Sequence, residues 1–185
     1  LRLPEYERII PPESRQYVDE YIRAAQDPRT VMAIDIENPN KVMACVGFCY
    51  EVGHAICLRW PADYGAIKAL CESPCTKVLQ NGLFDTFWLR PPKAYAPHAN
   101  KHWLMDTLPD IIIEGHVYDT LAMHHAIDAT LSHSLADMSS LHTRQPYWKK
   151  SWKDQPSDSV DRTTFDVLAL YNCIDVIVTR QLFDT

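Results

Sequence analysis

The chain has 185 residues, of which 46% are hydrophobic, and a formal net charge of −6. This length suits one domain with a substantial core, so we expect a single domain over residues 1–185, with a lead-in and an N-terminal helix over 1–29. The negative charge excludes a generally basic surface for duplex DNA, and no apolar stretch has the length of a membrane span. The N-terminal LRLPEYERII lacks the pattern of a signal peptide, which predicts a cytoplasmic protein. Six cysteines without a Cys-x-x-Cys pair favour buried free thiols over zinc.

Apolar periodicity predicts an α/β protein with a mixed sheet of about five strands flanked by helices. Short connections make the first three strands antiparallel neighbours, and a helix before the fourth strand implies a parallel crossover. The predicted elements are helices over 13–26, 61–72, 81–89, 119–127, 134–143 and 161–183, and strands over 31–37, 41–52, 54–60, 77–80 and 116–119. Residues 1–12 are expected to be irregular, 90–114 to contain at most a short helix around 102–108, and 145–159 to form a polar loop.

Two acids close the strand predicted over Val31–Glu37. Residues i and i+2 of a strand share a face, so Asp35 and Glu37 point the same way from the end of a core element. Two like charges at the edge of an apolar core repel each other and lose hydration, and a divalent cation between them would relieve both effects. The alternative is a pair of carboxylates that fray into solvent at a strand end.

Two further acids are predicted near this strand end. Asp85 lies in the first turn of the helix that begins at Asn81-Gly82, at the sheet edge where open α/β folds place their sites. Asp175 lies between apolar neighbours on the last helix, which is an unusual position for an acid without a partner. The simpler alternatives are an Asp85 that only stabilises a helix N-terminus and an Asp175 that faces solvent.

The four acids offer only hard oxygen ligands, which favours Mg²⁺ or Mn²⁺ over zinc. Two such cations a few Å apart can clamp the attacking and leaving oxygens of a phosphate ester. The hydroxyl of Tyr171, one helical turn before Asp175, could orient the attacking water. We therefore expect two divalent cations, Mg²⁺ or Mn²⁺, as cofactors.

The predicted loop over 145–159 contains YWKKSWK, in which aromatic residues and lysines are interleaved. Stacking on the aromatic rings and attraction of phosphates to Lys149 and Lys150 suit contact with a nucleic-acid strand. A solvated loop whose tryptophans pin it to the body of the domain explains the pattern equally well.

Three short motifs together resemble those of the DEDD 3′–5′ exonucleases. They are AIDIE at 33–37, Asn81 with Asp85 in NGLFD, and Tyr171 with Asp175 in YNCID, in matching order and spacing. The tyrosine four residues before the last acid points to the DEDDy branch. Within that branch the chain is most similar to the proofreading domain of bacterial or phage family A DNA polymerases, with support from YDTLAMHH, SLADMSSLH and the YWK of the loop.

This resemblance implies a ribonuclease H-like fold and a 3′–5′ exonuclease that releases nucleoside monophosphates from the 3′ end of single-stranded DNA. It implies that Asp35, Glu37 and Asp175 bind the cation at which water is activated. Asp35 and Asp85 would hold the second cation on the leaving-group side. The implied partner is a DNA polymerase domain or subunit, in a bacterial or phage-infected cell.

The same resemblance assigns roles to residues around the acids. Glu37 and Tyr171 would position the attacking water, and Asn81 would touch the substrate strand. Asp119 would support the site without binding a cation.

Other functions fit parts of the sequence. An RNA-trimming exonuclease of the ribonuclease D type would use the same chemistry and differ in how its pocket meets the 2′ position. A catalytically silent module that binds single strands or a polymerase is disfavoured, because a site for polyanions has no use for four carboxylates without metal. Zinc hydrolysis through His116, His124 and His125 is disfavoured because adjacent helical residues point about 100° apart.

Overall fold

The computed structural model describes residues 7–8, 14–39, 43–90, 108–143, 145 and 165–185. The substrate-binding candidates Lys149 and Lys150 lie outside the described residues. So do nearly all of the predicted short helix around 102–108 and of the predicted loop over 145–159.

A six-stranded mixed sheet forms the centre of the protein, in the order β1-β4-β3-β2-β5-β6. β3 pairs antiparallel with β2 and β4, whereas β5 runs parallel to β2 and β6. Three antiparallel strands followed by two parallel ones confirm the predicted mixed sheet. The strands are β1 (Glu7–Arg8), β2 (Val31–Glu37), β3 (Cys45–Glu51), β4 (His54–Arg59), β5 (Thr76–Leu79) and β6 (Val117–Asp119).

β1 corrects the expectation of an irregular lead-in over residues 1–12. Its two residues run parallel to β4, with Glu7 opposite His54 and Arg8 opposite Ala55. Two residues are too few to show an alternating pattern in the sequence. The pairing therefore depends on the edge of β4, which offers backbone hydrogen-bonding groups, rather than on the strand preference of Glu7 and Arg8.

Helices cover both faces of the sheet. The helices of the described chain are α1 (Ser14–Ala24), α2 (Tyr64–Cys71), α3 (Gly82–Leu89), α4 (Thr120–Ile127), α5 (Leu135–His142) and α6 (Phe165–Phe183). α6 contacts β2, β3 and β4, while α1 contacts β4 and α2. Within the described part of the chain, no helix is both long and apolar enough to cross a membrane.

The two faces of β2 pack against different layers. Ile34 and Ile36 belong to the larger core, which includes residues of α1 and α2. Ala33 belongs to a second core on the opposite face, which includes residues of α6. Because side chains alternate along a strand, Asp35 and Glu37 leave β2 on the same face as Ala33. The acids are therefore directed to the side of the sheet that α6 covers.

Small residues let α6 approach this face closely. Ala33 and Ala55 are fully buried in the core beneath the helix. Gly47 pairs in register with Asp35, and a Cβ atom at position 47 would lie only 2.3 Å from Oδ1 of Asn172 on α6. A larger residue at 47 would force this part of the helix away from the acids on β2.

Candidate active site

Three carboxylates meet between β2 and α6. Ligand oxygens of Asp35, Glu37 and Asp175 all lie within 4.8 Å of one another. Asp35 and Glu37 are half-buried, and Asp175 is 5% exposed. The burial of Asp175 excludes the alternative in which it faces solvent. Asp35 and Glu37 both pair with β3, which excludes the alternative in which the end of β2 frays into water.

The electrostatics of Asp35 reflect this crowding. Burial is the largest cause of its pKa lying well above the usual range for a carboxyl group. The neighbouring carboxylates raise the pKa further, in the order Asp175, Asp85 and Glu37. Three carboxylates this close together offer only hard oxygen donors, which fits a divalent cation that would supply the missing positive charge.

Asp85 lies beside β2, outside the group of three carboxylates whose oxygens lie within 4.8 Å of one another. It lies in the first turn of α3, is 1% exposed, and accepts a hydrogen bond of 3.1 Å from the backbone N–H of Ile36. Burial raises its pKa to about 7, against the opposing effect of two backbone hydrogen bonds. Its carboxylate thus binds the strand between Asp35 and Glu37, rather than resting in solvent at a helix N-terminus.

The turn before α3 is held by Asp119. The backbone N–H groups of Asn81 and Gly82 donate to its two carboxylate oxygens, at 3.0 and 2.8 Å. The same side chain caps α4, accepting from the N–H of Leu121 at 2.9 Å. Asn81 adopts a left-handed backbone conformation, with φ 64° and ψ 50°, and its side chain is exposed. Asp119 therefore holds both the turn before α3 and the first turn of α4.

Tyr171 lies one turn before Asp175 on α6 and is half-buried. Part of its ring packs against the small core formed between α5 and α6. This packing restricts the ring, and the residue remains partly accessible.

Asn172 is a site residue that the sequence analysis missed. Its side-chain Nδ2 donates to Oδ2 of Asp35 at 2.8 Å and to the backbone oxygen of Asp35 at 3.1 Å. The residue is fully buried in an otherwise apolar part of α6. Its place among apolar residues of the sequence could have indicated a site residue, because a buried amide needs a hydrogen-bonding partner.

Four histidines form a separate cluster on α4, on α5 and in the segment between these helices. Nitrogen-to-nitrogen contacts join His124 to His133 at 2.7 Å, His125 to His133 at 3.0 Å, and His124 to His142 at 3.1 Å. Each neutral ring supplies one N–H and one acceptor, so four neutral rings satisfy all three contacts without a cation. Burial, followed by the charges of His133 and His142, lowers the pKa of His124, which favours its neutral form.

The described histidines do not add a second group of three closely spaced ligand atoms. In the described part of the chain, only the oxygens of Asp35, Glu37 and Asp175 form a group of three potential ligands within 4.8 Å. Among the contacts described, His116 makes none with this cluster, so the three histidines of the zinc alternative are not brought together there.

Comparisons with solved structures give the same architecture. A structure described as the apo form of a nuclease has a TM-score of 0.59 at 18% identity, covering 90% of this chain and 73% of its own. RRP6 of Trypanosoma brucei has a TM-score of 0.58 at 14% identity, covering 92% and 43%. RNase D of Escherichia coli, an exoribonuclease involved in structured RNA processing, has a TM-score of 0.58 at 16% identity, covering 97% and 44%.

The chain has the fold of these proteins. This similarity confirms the predicted ribonuclease H-like class, with helices flanking a mixed sheet. The chain spans less than half the length of the RRP6 and RNase D chains that it matches. No family model and no curated protein sequence matches the chain.

Proposed function

We propose that this protein is a metal-dependent 3′–5′ exonuclease that removes nucleotides from the end of a single nucleic-acid strand. The observation that carries the proposal is the cluster of Asp35, Glu37 and Asp175, whose oxygens lie within 4.8 Å of one another at the end of a central strand. Nucleases among the solved structures of the same fold support the proposal.

The acids divide into two sets of ligands in this proposal. Asp35, Glu37 and Asp175 hold the cation beside the attacking water, and Asp35 with Asp85 holds the cation beside the leaving oxygen. Mg²⁺ or Mn²⁺ suits both sets because all the donors are carboxylate oxygens. Bound there, the two cations would make water a stronger nucleophile and stabilise charge on the leaving oxygen.

Other residues position the reactants. Glu37 and the hydroxyl of Tyr171 orient the water in line with the terminal phosphodiester. Asn81, exposed at the turn before α3, contacts the substrate strand. Lys149 and Lys150 attract its phosphates in this proposal, which predicts that binding weakens as salt increases.

The preferred substrate in this proposal is the 3′ end of single-stranded DNA, with proofreading for an attached or separate polymerase as its purpose. The order and spacing of AIDIE, NGLFD and YNCID support this substrate, through their resemblance to the proofreading domains of family A polymerases. RNA trimming is the second candidate. It is supported by the fold similarity to RNase D, which is named as an exoribonuclease.

A digestion assay tests both candidates. Single strands of DNA and RNA with matched sequence and a 5′ label are incubated with the protein in Mg²⁺, in Mn²⁺, or in excess chelator, with the Asp35→Ala variant as control. A metal-dependent ladder that shortens from the 3′ end, with monophosphate products, is expected. Faster digestion of DNA supports proofreading, and faster digestion of RNA supports trimming. Binding without digestion by the unmodified chain would contradict the proposal in favour of a silent binding module.

A further inference from the structure

Asn172 follows Tyr171 on α6 and lies three residues before Asp175. Its side chain is fully buried between the helix and the sheet. Its Nδ2 group makes two hydrogen bonds to Asp35, one to the carboxylate oxygen Oδ2 at 2.8 Å and one to the backbone oxygen at 3.1 Å. The amide therefore links the side chain and the main chain of this acid to the helix that carries Asp175.

The direction of the Asn172 amide follows from its partners. The backbone oxygen of Asp35 can only accept a hydrogen bond, so the –NH₂ end of the amide must face Asp35. The amide oxygen Oδ1 must then point the other way, where it has no hydrogen-bond partner among the described residues. It faces Gly47, since a Cβ atom built on that glycine would lie 2.3 Å from it.

This arrangement is unfavourable for packing alone. A buried oxygen without a partner destabilises the fold. An apolar side chain at position 172, like those of Cys173 and Val176 in the same core, would fill the space without that penalty. The hydrogen bonds to Asp35 are the compensating gain. They hold one carboxylate oxygen in place and so fix the rotamer in which the acid faces Glu37 and Asp175.

The geometry points to Asn172 as a positioning residue for the metal site, with Gly47 as the residue that makes room for it. Asn172 holds Oδ2 of Asp35, and Asp35 would hold the cation together with Glu37 and Asp175. This inference rests on the proposed function, because it assigns a role within the same acidic site. It adds a residue that touches neither the cation nor the substrate.

Two substitutions test this role from opposite sides of the contact. Asn172→Leu removes the donors at nearly constant volume, and Asn172→Ala tests the same loss if leucine packs poorly. Gly47→Ala leaves every site residue chemically intact but places a Cβ atom against Oδ1 of Asn172. The matched control is Thr179→Val, an isosteric change at another buried polar residue of α6.

The readouts are the Mn²⁺ dissociation constant, from electron paramagnetic resonance of free Mn²⁺, and the Mn²⁺ concentration that gives half-maximal digestion. We expect each Asn172 variant to weaken Mn²⁺ binding about 10–100-fold, as is common when a group that orients a metal ligand is removed. Gly47→Ala should weaken binding in the same direction, and Thr179→Val should change it less than twofold.

A double-mutant cycle separates positioning from general destabilisation. In the Asn172→Ala background the amide is gone, so Gly47→Ala should have little further effect on the Mn²⁺ dissociation constant. Additive effects of the two substitutions would overturn the inference. The inference would also be overturned if the Asn172 variants bound Mn²⁺ as tightly as the unmodified chain, or if Thr179→Val weakened Mn²⁺ binding as much as they do. Neither result would contradict the proposed function. If the unmodified chain neither binds Mn²⁺ nor digests a single strand, both proposals fall.

Discussion

At the scale of single residues, the electrostatic interactions among the acids of the candidate site are unfavourable. Asp35 and Asp85 both have raised pKa values, and burial is the first cause in each case. Folding concentrates these acids, although each would be better solvated in the unfolded chain. The hydrogen bonds from Asn172 and from the N–H of Ile36 offset part of this penalty. In the proposed function, a bound cation would compensate further by neutralising the carboxylates.

Asp35→Ala should abolish digestion and leave the fold intact. The substitution removes the carboxylate that both proposed cations share, and it also relieves repulsion in the metal-free protein. We expect product formation to fall below detection, while the melting temperature in chelator stays unchanged or rises. Asp166→Ala, at an exposed acid in the first turn of α6, is the control and should keep full activity. Undiminished nucleotide release by Asp35→Ala would remove the proposed mechanism.

Asp85→Asn should make the metal-free protein less sensitive to pH. The pKa of Asp85 is raised from 3.8 to about 7. Between these two pH values, the folded protein keeps a proton on Asp85 that the unfolded chain has released. Stability in chelator should therefore fall as pH rises from about 4 to about 7. The asparagine keeps an oxygen that can accept from Ile36, and it has no charge to bury.

Melting temperatures across this pH range test the prediction. The advantage of Asp85→Asn over the unmodified chain should be near zero at pH 4 and largest above pH 7. We expect it to reach at least ~2–4 °C, the shift that 1 kcal/mol produces in a protein of this size. An advantage that does not vary with pH would show that Asp85 keeps an ordinary pKa.

Tyr171→Phe should reduce the rate while leaving metal binding intact. The hydroxyl is proposed to orient water, and the ring that packs between α5 and α6 is preserved in phenylalanine. We expect about a 10²-fold loss of kcat, at the lower end of the range for a positioned proton-handling group. The Mn²⁺ dissociation constant should stay within twofold. A large loss of metal affinity would instead make Tyr171 a determinant of the cation site.

At the scale of elements, two long-range contacts assemble the site. α6 brings Asp175 to the face of β2 because the residues beneath it are small, with Gly47 opposite Asp35. On the other side of the site, Asp119 at the end of β6 binds the turn between β5 and α3. The position of Asp85 on α3 thus depends on the carboxylate of Asp119, which lies at the end of β6.

Asp119→Ala should destabilise the protein and reduce digestion. It removes the cap of α4 and leaves the N–H groups of Asn81 and Gly82 without their acceptor. The loss of one such cap costs about 0.5–2 kcal/mol, so we expect the melting temperature to fall by several degrees in chelator. Asp128→Ala is the control, because its carboxylate binds only the nearby Thr130 among the hydrogen bonds described. Equal destabilisation by the two substitutions would argue against a special role for Asp119.

At the scale of the whole molecule, the proposed metal binding would be linked to folding through the acidic cluster. The cluster draws its ligands from β2 and α6, and α6 also packs on β3 and β4. These ligands are far apart in the unfolded chain, so a cation should bind only the folded protein with appreciable affinity. The binding free energy then adds to the free energy of unfolding.

Mn²⁺ should therefore raise the melting temperature, and more at pH 8 than at pH 5. Protons compete with the cation for Asp35 and Asp85, whose pKa values are raised, and this competition weakens as pH increases. At 100 times the dissociation constant, the added stability is about 2.7 kcal/mol. Calorimetry at the two pH values tests this, with Asp35→Ala as the variant that should not respond. Equal stabilisation of both proteins would place the bound Mn²⁺ elsewhere.

The sequence by itself predicted the mixed sheet and three of the side chains that meet in the site. Strand alternation places Asp35 and Glu37 on one face, and the apolar surroundings of Asp175 indicate a buried partner. These predictions rest on the period of a strand or a helix, which is a local property of the backbone. The order of strands and helices then predicts which strands are neighbours.

Only the tertiary structure decided the contacts between distant residues. The bonds from Asn172 to Asp35 join positions 137 residues apart, and they require the close approach of α6 that Gly47 allows. The Asp119 contacts with the turn before α3 and the pairing of β1 with β4 likewise depend on how whole elements pack. Local periodicity determines which way a side chain points, whereas the packing of helix on sheet determines what it meets.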